Sequence, residues 1–244
     1  MKQELWTSGK DVSMAKILDA RENRVQIQQE MLQKSPSCLL SFTLNIPGSV
    51  KVFPYTKWTY EVGISIISKG ISLLNGVIIE QKEVKKDTGW EAFFALNLHP
   101  EDMKSYLLEQ EEQHPLGRLF DFDILRADGS KLSRQELGFL ERTCLLCGNP
   151  AFLCGRSRTH SAQELLAKEI EIMENFFVFR LSNHIGLLMQ KALFYEVNTS
   201  LKPGLVDRLH NGSHKDMRLS TFINSAYSLT DYFCQCAKEG LSCD

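Results

Sequence analysis

No apolar run in the 244 residues approaches the roughly 20 needed to span a bilayer, so a membrane-crossing helix is not expected. The start, Met1-Lys2-Gln3-Glu4-Leu5, lacks the apolar stretch of a secretory signal peptide. A basic surplus is missing too. The 28 Lys and Arg face 30 Asp and Glu, and a net charge of −2 leaves no electrostatic footprint for nucleic acid. The cysteine count is seven, an odd number that argues against a closed disulfide framework and for a reducing cytoplasm. Internal repeats and low-complexity tracts are also absent. Neither membrane nor nucleic acid is therefore expected as a partner.

What is present suits a globular protein. An apolar content of 43% is enough for a core, and 24% charged residues is average. The length fits one domain of ordinary size plus an appendage. Asp11 is placed as N-cap of a helix to about Lys34, stopped by Ser35-Pro36-Ser37. Cys38–Ile46 reads as a buried strand ended by Pro47-Gly48. Tyr55–Asn75 reads as a helix despite β-branched Ile64, Ile66 and Ile71, with Gly76 as its stop. Val77–Val84 and Trp90–Leu96 form a hairpin, and Pro100–Glu112 a helix with acids near its start. Ser161-Ala162-Gln163-Glu164 is a capping box opening a helix to about Phe177. The order from Cys38 to Leu125 is β-α-β-β-α-β, so the expected class is α+β. Its expected core is ferredoxin-like, flanked by an N-terminal helix, a Cys-rich segment and C-terminal helices.

Gly117-Arg118-Leu119-Phe120-Asp121-Phe122-Asp123-Ile124-Leu125 carries the sharpest chemical signal. Alternation along a strand puts Phe120, Phe122 and Ile124 on one face and Leu119, Asp121, Asp123 and Leu125 on the other. Two carboxylates that close repel unless water or a cation separates them. A hard cation such as Mg2+ takes one or two carboxylates and leaves its other positions to water and phosphate. A half-exposed strand with two solvated acids also fits the bare pattern. Arg21 and Arg24 lie three apart on the first helix, which suits either an anion clamp or a solvated face. Cys144-x2-Cys147-x6-Cys154-x5-His160 has the ligand types of a Cys3His zinc site, although buried or free thiols, or a covalent cysteine, remain open readings. His99 and His114 flank prolines in loops and are undistinguished.

The Gly117–Leu125 pattern, followed by Asp128-Gly129 and Leu132-Ser133-Arg134, resembles citrate lyase holo-acyl-carrier-protein synthase, also called apo-citrate lyase phosphoribosyl-dephospho-CoA transferase. Leu18-Asp19-Ala20-Arg21-Glu22-Asn23-Arg24, Ser41-Phe42-Thr43-Leu44-Asn45-Ile46-Pro47-Gly48, and the Cys144–His160 stretch carry the same resemblance. It spans roughly residues 10–180. The resemblance implies transfer of phosphoribosyl-dephospho-CoA from its triphosphate to a serine of the citrate lyase apo acyl carrier protein (the gamma subunit), releasing pyrophosphate. On that reading Asp121 and Asp123 hold Mg2+, Arg118 clamps phosphate, and Arg21, Arg24 and Arg134 are further phosphate ligands. Asn45, Gly48 and Lys51 form a turn whose backbone amides meet phosphate. The domain would run from residue 10 to 182.

A second resemblance begins near Asn183. Lys202-Pro203-Gly204-Leu205-Val206-Asp207-Arg208 and Gly212-Ser213-His214-Lys215-Asp216-Met217 are similar to the N-terminal part of triphosphoribosyl-dephospho-CoA synthase. Leu201, Ser213 and Arg218 depart from that family's usual Pro, Ala and acid. The expectation for 183–244 is a helical, incomplete second module, inactive alone, or else a helical C-terminal extension of the first domain, and Cys234, Cys236 and Cys243 there carry no metal spacing. Two alternatives stand beside the transferase: synthesis of the triphosphate from ATP and dephospho-CoA, and a non-enzymatic zinc-bearing interaction domain.

Overall fold

The computed structural model describes residues 8–34 and 37–177. Four strands form one antiparallel sheet in the order β2-β3-β1-β4, and helices cover both of its faces. Helix α1 (Met14–Leu32) precedes β1 (Cys38–Leu44), and α2 (Pro54–Leu73) leads to β2 (Val77–Lys86). Strand β3 (Gly89–Asn97), α3 (Pro100–Gln113) and β4 (Phe120–Arg126) follow. Beyond a long irregular stretch come α4 (Ala151–Ser157) and a helix over 162–177, here α5. No helix among the described residues is long and apolar enough to cross a membrane.

Strand β1 is central and buried almost throughout, paired with β3 on one side and β4 on the other. Its Cys38, Leu40 and Phe42 face α2 and α3, together with Ala92, Phe94 and Leu96 of β3 and Phe120, Phe122 and Ile124 of β4. Phe42 stacks between Tyr60 (5.3 Å between centroids) and Phe122 (4.8 Å). Helix α5 joins this side through Met173 and Phe176, and Phe177 stacks on Tyr55. The opposite face is smaller: Ile27 and Met31 of α1 close over Leu39, Phe93 and Ala95.

Strand β4 is an edge, and its outward backbone groups are satisfied by side chains. Lys104 donates to the Phe122 carbonyl at 2.6 Å, Arg142 donates to the Phe120 carbonyl at 2.9 Å, and Glu111 accepts from the Phe122 amide. An edge blunted in this way offers no template for another strand. Edge strand β2 is protected differently, by the charges of Glu80, Lys82, Glu83, Lys85 and Lys86.

Local departures from the sequence reading have physical causes. The N-cap of α1 is Ser13, whose hydroxyl accepts from the Lys16 amide, because Asp11 instead accepts from the Ser49 hydroxyl at 2.5 Å. Strand β1 ends at Leu44, not Ile46, because the Asn45 amide turns to the Leu119 carbonyl. Arg118 and Leu119 belong to a 3-10 turn at Gly117–Leu119 and not to the strand. Gly117 there packs on the last carbonyls of α3, where a Cβ would collide with Gln110 and Glu111. The Ser161 capping box forms as expected, with the Glu164 amide donating to the Ser161 hydroxyl at 3.1 Å.

Gly63 of α2 sits where a Cβ would enter the ring of Phe42. Alanine gains about 1 kcal/mol of helix propensity over glycine, yet overpacking costs about 1–3 kcal/mol where neighbours cannot yield. Phe42 is wedged between two rings, so the clash wins. Gly63→Ala should lower the melting temperature by several degrees, about 2–4 °C per kcal/mol for a domain of this size; an unchanged or raised midpoint would show that Phe42 has room to move.

Candidate active site

The sheet face beneath α1 changes character along its length. At one end lies the apolar cluster around Leu39. Towards the other end the register sets Phe93, Ser41 and Asp123 side by side, and then Glu91, Thr43 and Asp121. This last row crosses three strands with an acid at each end, and α1 lays basic and amide side chains over it. Arg24 donates to Glu91 through Nε at 3.0 Å and through its terminal nitrogen at 2.5 Å, and Gln28 donates to the Ser41 hydroxyl at 3.0 Å. Glu91 is only 4% exposed, and so close a guanidinium offsets what burial costs its charge.

The row forms the floor of a cleft of about 170 Å³ at this end of the sheet. Arg21 and Arg24 from α1, Asn45 and Lys51 from the loop after β1, Lys57 from the first turn of α2, Trp90 and Glu91 from β3, and Asp121 line it. Four cations therefore face two carboxylates, and one of those carboxylates is already paired. Burial, and then the charge of neighbouring Asp123, hold the Asp121 carboxyl above the usual aspartate range. Asp123 shares the strand face but lies outside the cleft, with Lys131 at 2.7 Å from its carboxylate. Burial lowers the Lys51 pKa, and so does the charge of Arg21, while Glu169 acts in the opposite sense.

A second, larger cleft of about 520 Å³ shares Asn45 with the first. Arg118, Arg142 and Arg158 border it, as do Cys144, Cys154, His160 and Glu169. Arg118 reaches it from the 3-10 turn and donates to the Thr143 carbonyl. Arg142 is held by Glu111 at 2.6 Å. Burial and the nearby charge of Arg142 depress the Arg118 pKa.

Of the residues singled out from sequence, Arg21, Arg24, Asn45, Lys51 and Asp121 come together in the first cleft, while Arg118, Cys144, Cys154 and His160 border the second. Cys147 joins the thiol and imidazole group beside the latter. Gly48 takes a positive φ of 81° in its turn and lines neither cleft. Arg134 turns to Glu112 (3.3 Å) and Glu111 (3.8 Å), also away from both clefts. Lys202, Pro203, Gly204, Asp207, Arg208, Gly212, His214 and Asp216 lie outside the described residues.

The sequence reading missed Lys57, Glu91, Arg142 and Glu169. Glu91 was open to discovery, since it is in phase with the inward Phe93 of a strand. Glu169 was not, because nothing local marks it. It is 2% exposed, one of its carboxylate oxygens has no protein partner, and burial raises its pKa to about 8. A raised carboxyl pKa contributes stability that is complete below the ordinary glutamate value, near 4.5, and is lost as pH climbs through about 8. Gln is neutral throughout. The melting temperature of Glu169→Gln should therefore rise relative to the parent protein as pH goes from about 5 to about 8; a constant difference would mean that Glu169 is ionised in the folded state across this range.

The family model described as apo-citrate lyase phosphoribosyl-dephospho-CoA transferase matches residues 12–176, and the one described as ATP:dephospho-CoA triphosphoribosyl transferase matches residues 182–244. Protein CitXG of Haemophilus influenzae is 35% identical over 235 residues, which is 96% of this chain and 50% of that protein. Protein CitXG of Leuconostoc mesenteroides is 32% identical over 237 residues, 94% of this chain and 50% of its own. The chain thus spans about half the length of these two relatives. A probable apo-citrate lyase phosphoribosyl-dephospho-CoA transferase from Vibrio cholerae is 35% identical over 166 residues, 68% of this chain and 93% of that protein. The first match takes in every residue of both clefts, and the chain belongs to the apo-citrate lyase phosphoribosyl-dephospho-CoA transferase family.

Proposed function

We propose that this protein transfers phosphoribosyl-dephospho-CoA from its triphosphate precursor to a serine of the apo acyl carrier protein subunit of citrate lyase, releasing pyrophosphate. The observation that carries this reading is the convergence of Arg21, Arg24, Lys51 and Lys57 on one cleft whose floor ends in Asp121. The substrate bears a triphosphate, and the reaction is attack of a hydroxyl on its α-phosphorus with departure of the outer two phosphates. Such chemistry asks the protein for in-line positioning and for positive charge where negative charge builds. Arg21 and Lys51 are the cations to meet phosphate first, because Arg24 is engaged by Glu91. The N-terminal turn of α2, which brings Thr56 and Lys57 to the cleft, adds the positive end of a 20-residue helix.

Asp121 and Asp123 fit a magnesium ion, as two carboxylates on one strand face where burial, and then the charge of Asp123, weaken the acidity of Asp121. Bound there, Mg2+ would neutralise charge on the transferring phosphoryl group. Lys131, now against Asp123, is the residue that exchanges this contact for one with phosphate or solvent. The second cleft, with Arg118, Arg142 and Arg158, opens beside the first across Asn45 and suits a further anionic part of the substrate.

The sheet order, with helices in the β1–β2 and β3–β4 connections, agrees with the split βαβ or ferredoxin-like arrangement, which we infer for Cys38 to Arg126. On the same reading, the transferase domain spans 10–182, the remainder is a separate module, and the protein works in the cytoplasm. The match of 182–244 to the ATP:dephospho-CoA triphosphoribosyl transferase model favours a second reading beside the first, synthesis of the triphosphate precursor by that module. Release of adenine from ATP mixed with dephospho-CoA tests it.

The transfer itself is tested by weighing apo acyl carrier protein after incubation with this protein, the triphosphate and Mg2+. Asp121→Asn and Lys51→Ala should each slow the mass gain by about 100-fold or more, the usual effect of losing one electrostatic stabiliser, with circular dichroism unchanged. Transfer at parental rates by both variants would move the reaction out of the first cleft.

A further inference from the structure

Between Leu132 and Glu169 the chain has almost no core of its own. The only buried side chains in this stretch are Cys144 and Cys154, each 9% exposed. Leu140, Phe152 and Leu153 are turned outward. A segment with so little apolar burial needs a cross-link to hold one shape, as small domains do. The four described cysteines are free thiols, so no disulfide supplies it.

The ligand atoms of Cys144, Cys147, Cys154 and His160 all lie within 4.8 Å of one another, with the sulfurs of Cys147 and Cys154 3.5 Å apart. About a tetrahedral zinc, with Zn–S near 2.3 Å and Zn–N near 2.0 Å, sulfurs stand about 3.8 Å apart. One ion therefore reaches all four with small side-chain adjustments. The backbone presents them in two halves. Cys144-Leu145-Leu146-Cys147-Gly148-Asn149 is a tight turn closed by the Cys144 amide donating to the Asn149 carbonyl at 2.6 Å, and the Gly148 amide donates to the Cys144 carbonyl at 3.3 Å. Gly148 takes φ of 74°, which a side chain would strain. The Leu146 amide points at the Cys144 sulfur from 3.5 Å, the contact a thiolate wants. In the second half, α4 carries Cys154. Arg158 then takes the left-handed φ of 49°, and the chain turns back to bring His160 in. His160 Nε2 is buried with no protein partner, a cost of about 1–3 kcal/mol if nothing binds it.

We infer that Cys144, Cys147, Cys154 and His160 bind one zinc ion as a structural centre, and that this centre holds the wall of the second cleft. Soft thiolates with one imidazole select zinc over the hard cation assigned to Asp121 and Asp123. Binding replaces the thiol protons, which pass to solvent. The link to the cleft is direct. The turn's Thr143 carbonyl receives the Arg118 guanidinium, and Arg142, one residue earlier, spans Glu111 and the Phe120 carbonyl. Two of the three arginines of that cleft are thus fixed by the segment the metal ties, and Arg158 lies inside the ligand loop itself. The inference goes beyond the transfer reaction and stands or falls separately from it.

Metal analysis of the full chain, purified under reducing conditions, should find close to one equivalent of zinc. Cobalt added to metal-free chain should give the thiolate charge-transfer and tetrahedral visible bands of a sulfur-rich site. Cys147→Ser, exposed and therefore mild for folding, should weaken zinc binding by at least about 100-fold, since losing a group that merely hydrogen-bonds to a metal ligand already costs about 10–100-fold. Zinc removal should open the 138–160 segment to proteolysis while far-ultraviolet circular dichroism of the sheet and long helices persists. Reduced protein that takes up neither zinc nor cobalt would overturn the inference, as would zinc binding unaffected by Cys147→Ser. Zinc bound without any change in proteolysis would overturn the structural role.

Discussion

Strand β1 is the constraint on which the molecule depends. It is paired on both sides and covered on both faces, so every side chain along it has to satisfy a neighbour. Cys38, Leu40 and Phe42 turn to the large core, while Leu39, Ser41 and Thr43 turn to α1, and only the second set changes from apolar to hydroxyl. That change ends the core on one face and begins a site. Because side chains alternate with a period of two, a slip of one residue in β1 would exchange the two sets, turning Ser41 and Thr43 towards Tyr60 and Phe94 and Phe42 towards α1. The aromatic stack around Phe42 and the polar row at Thr43 therefore specify the same register from opposite faces.

Charge in the first cleft is arranged to be short of anions, not balanced. Arg24 and Glu91 neutralise each other, and breaking such a buried pair from one side leaves an uncompensated charge at a cost of about 3–5 kcal/mol. That pair is scaffold. It fixes the α1 helix above the sheet and so presents Arg21, one turn away, to the opening. Arg21, Lys51 and Lys57 then have only Asp121 to offset them inside the cleft. Burial first and Arg21 second depress the Lys51 pKa, and burial first and Asp123 second raise that of Asp121, so each side holds its charge at a cost. An anionic substrate with a divalent cation relieves both strains at once.

Much of this could be read from the chain. Helices, strands and the alternation of Phe120, Phe122 and Ile124 against Asp121 and Asp123 follow from periodicity, because burial acts on every second or every third to fourth residue. Arg21 and Arg24, three apart on the first helix, and Lys51, in the turn after a strand, reach a common cleft. What was hidden depended on contacts distant in sequence. Asp11 looks like the better N-cap until Ser49 claims it, and Leu119 reads as a strand residue because nothing local shows that Gly117 has to press against the end of α3. The β-branched isoleucines of α2 formed helix because Ile66, Ile67 and Ile71 bury against the sheet, which outweighs their weak propensity. Glu169 is ordinary in sequence, and its unusual acidity arises only from where α5 packs.

The two clefts meet at Asn45, and the residues around that junction tie them together. The Asn45 amide is bound to the Leu119 carbonyl, one residue from Arg118 and two from Asp121, so the loop after β1 and the entrance to β4 cannot move apart independently. Lys51 belongs to the first cleft and is influenced by Glu169, which belongs to the second. A charge arriving in one cleft is therefore felt in the other through a lysine whose ammonium and a glutamate whose carboxylate are both disfavoured by burial. If phosphate settles beside Lys51, it strengthens the ammonium form, and the ammonium in turn favours ionisation of Glu169. If a second anionic group enters among Arg118, Arg142 and Arg158, it discourages ionisation of Glu169 in turn. The two arrivals therefore act on Glu169 in opposite senses, and the charge of this buried carboxyl answers to which cleft is filled without a moving part.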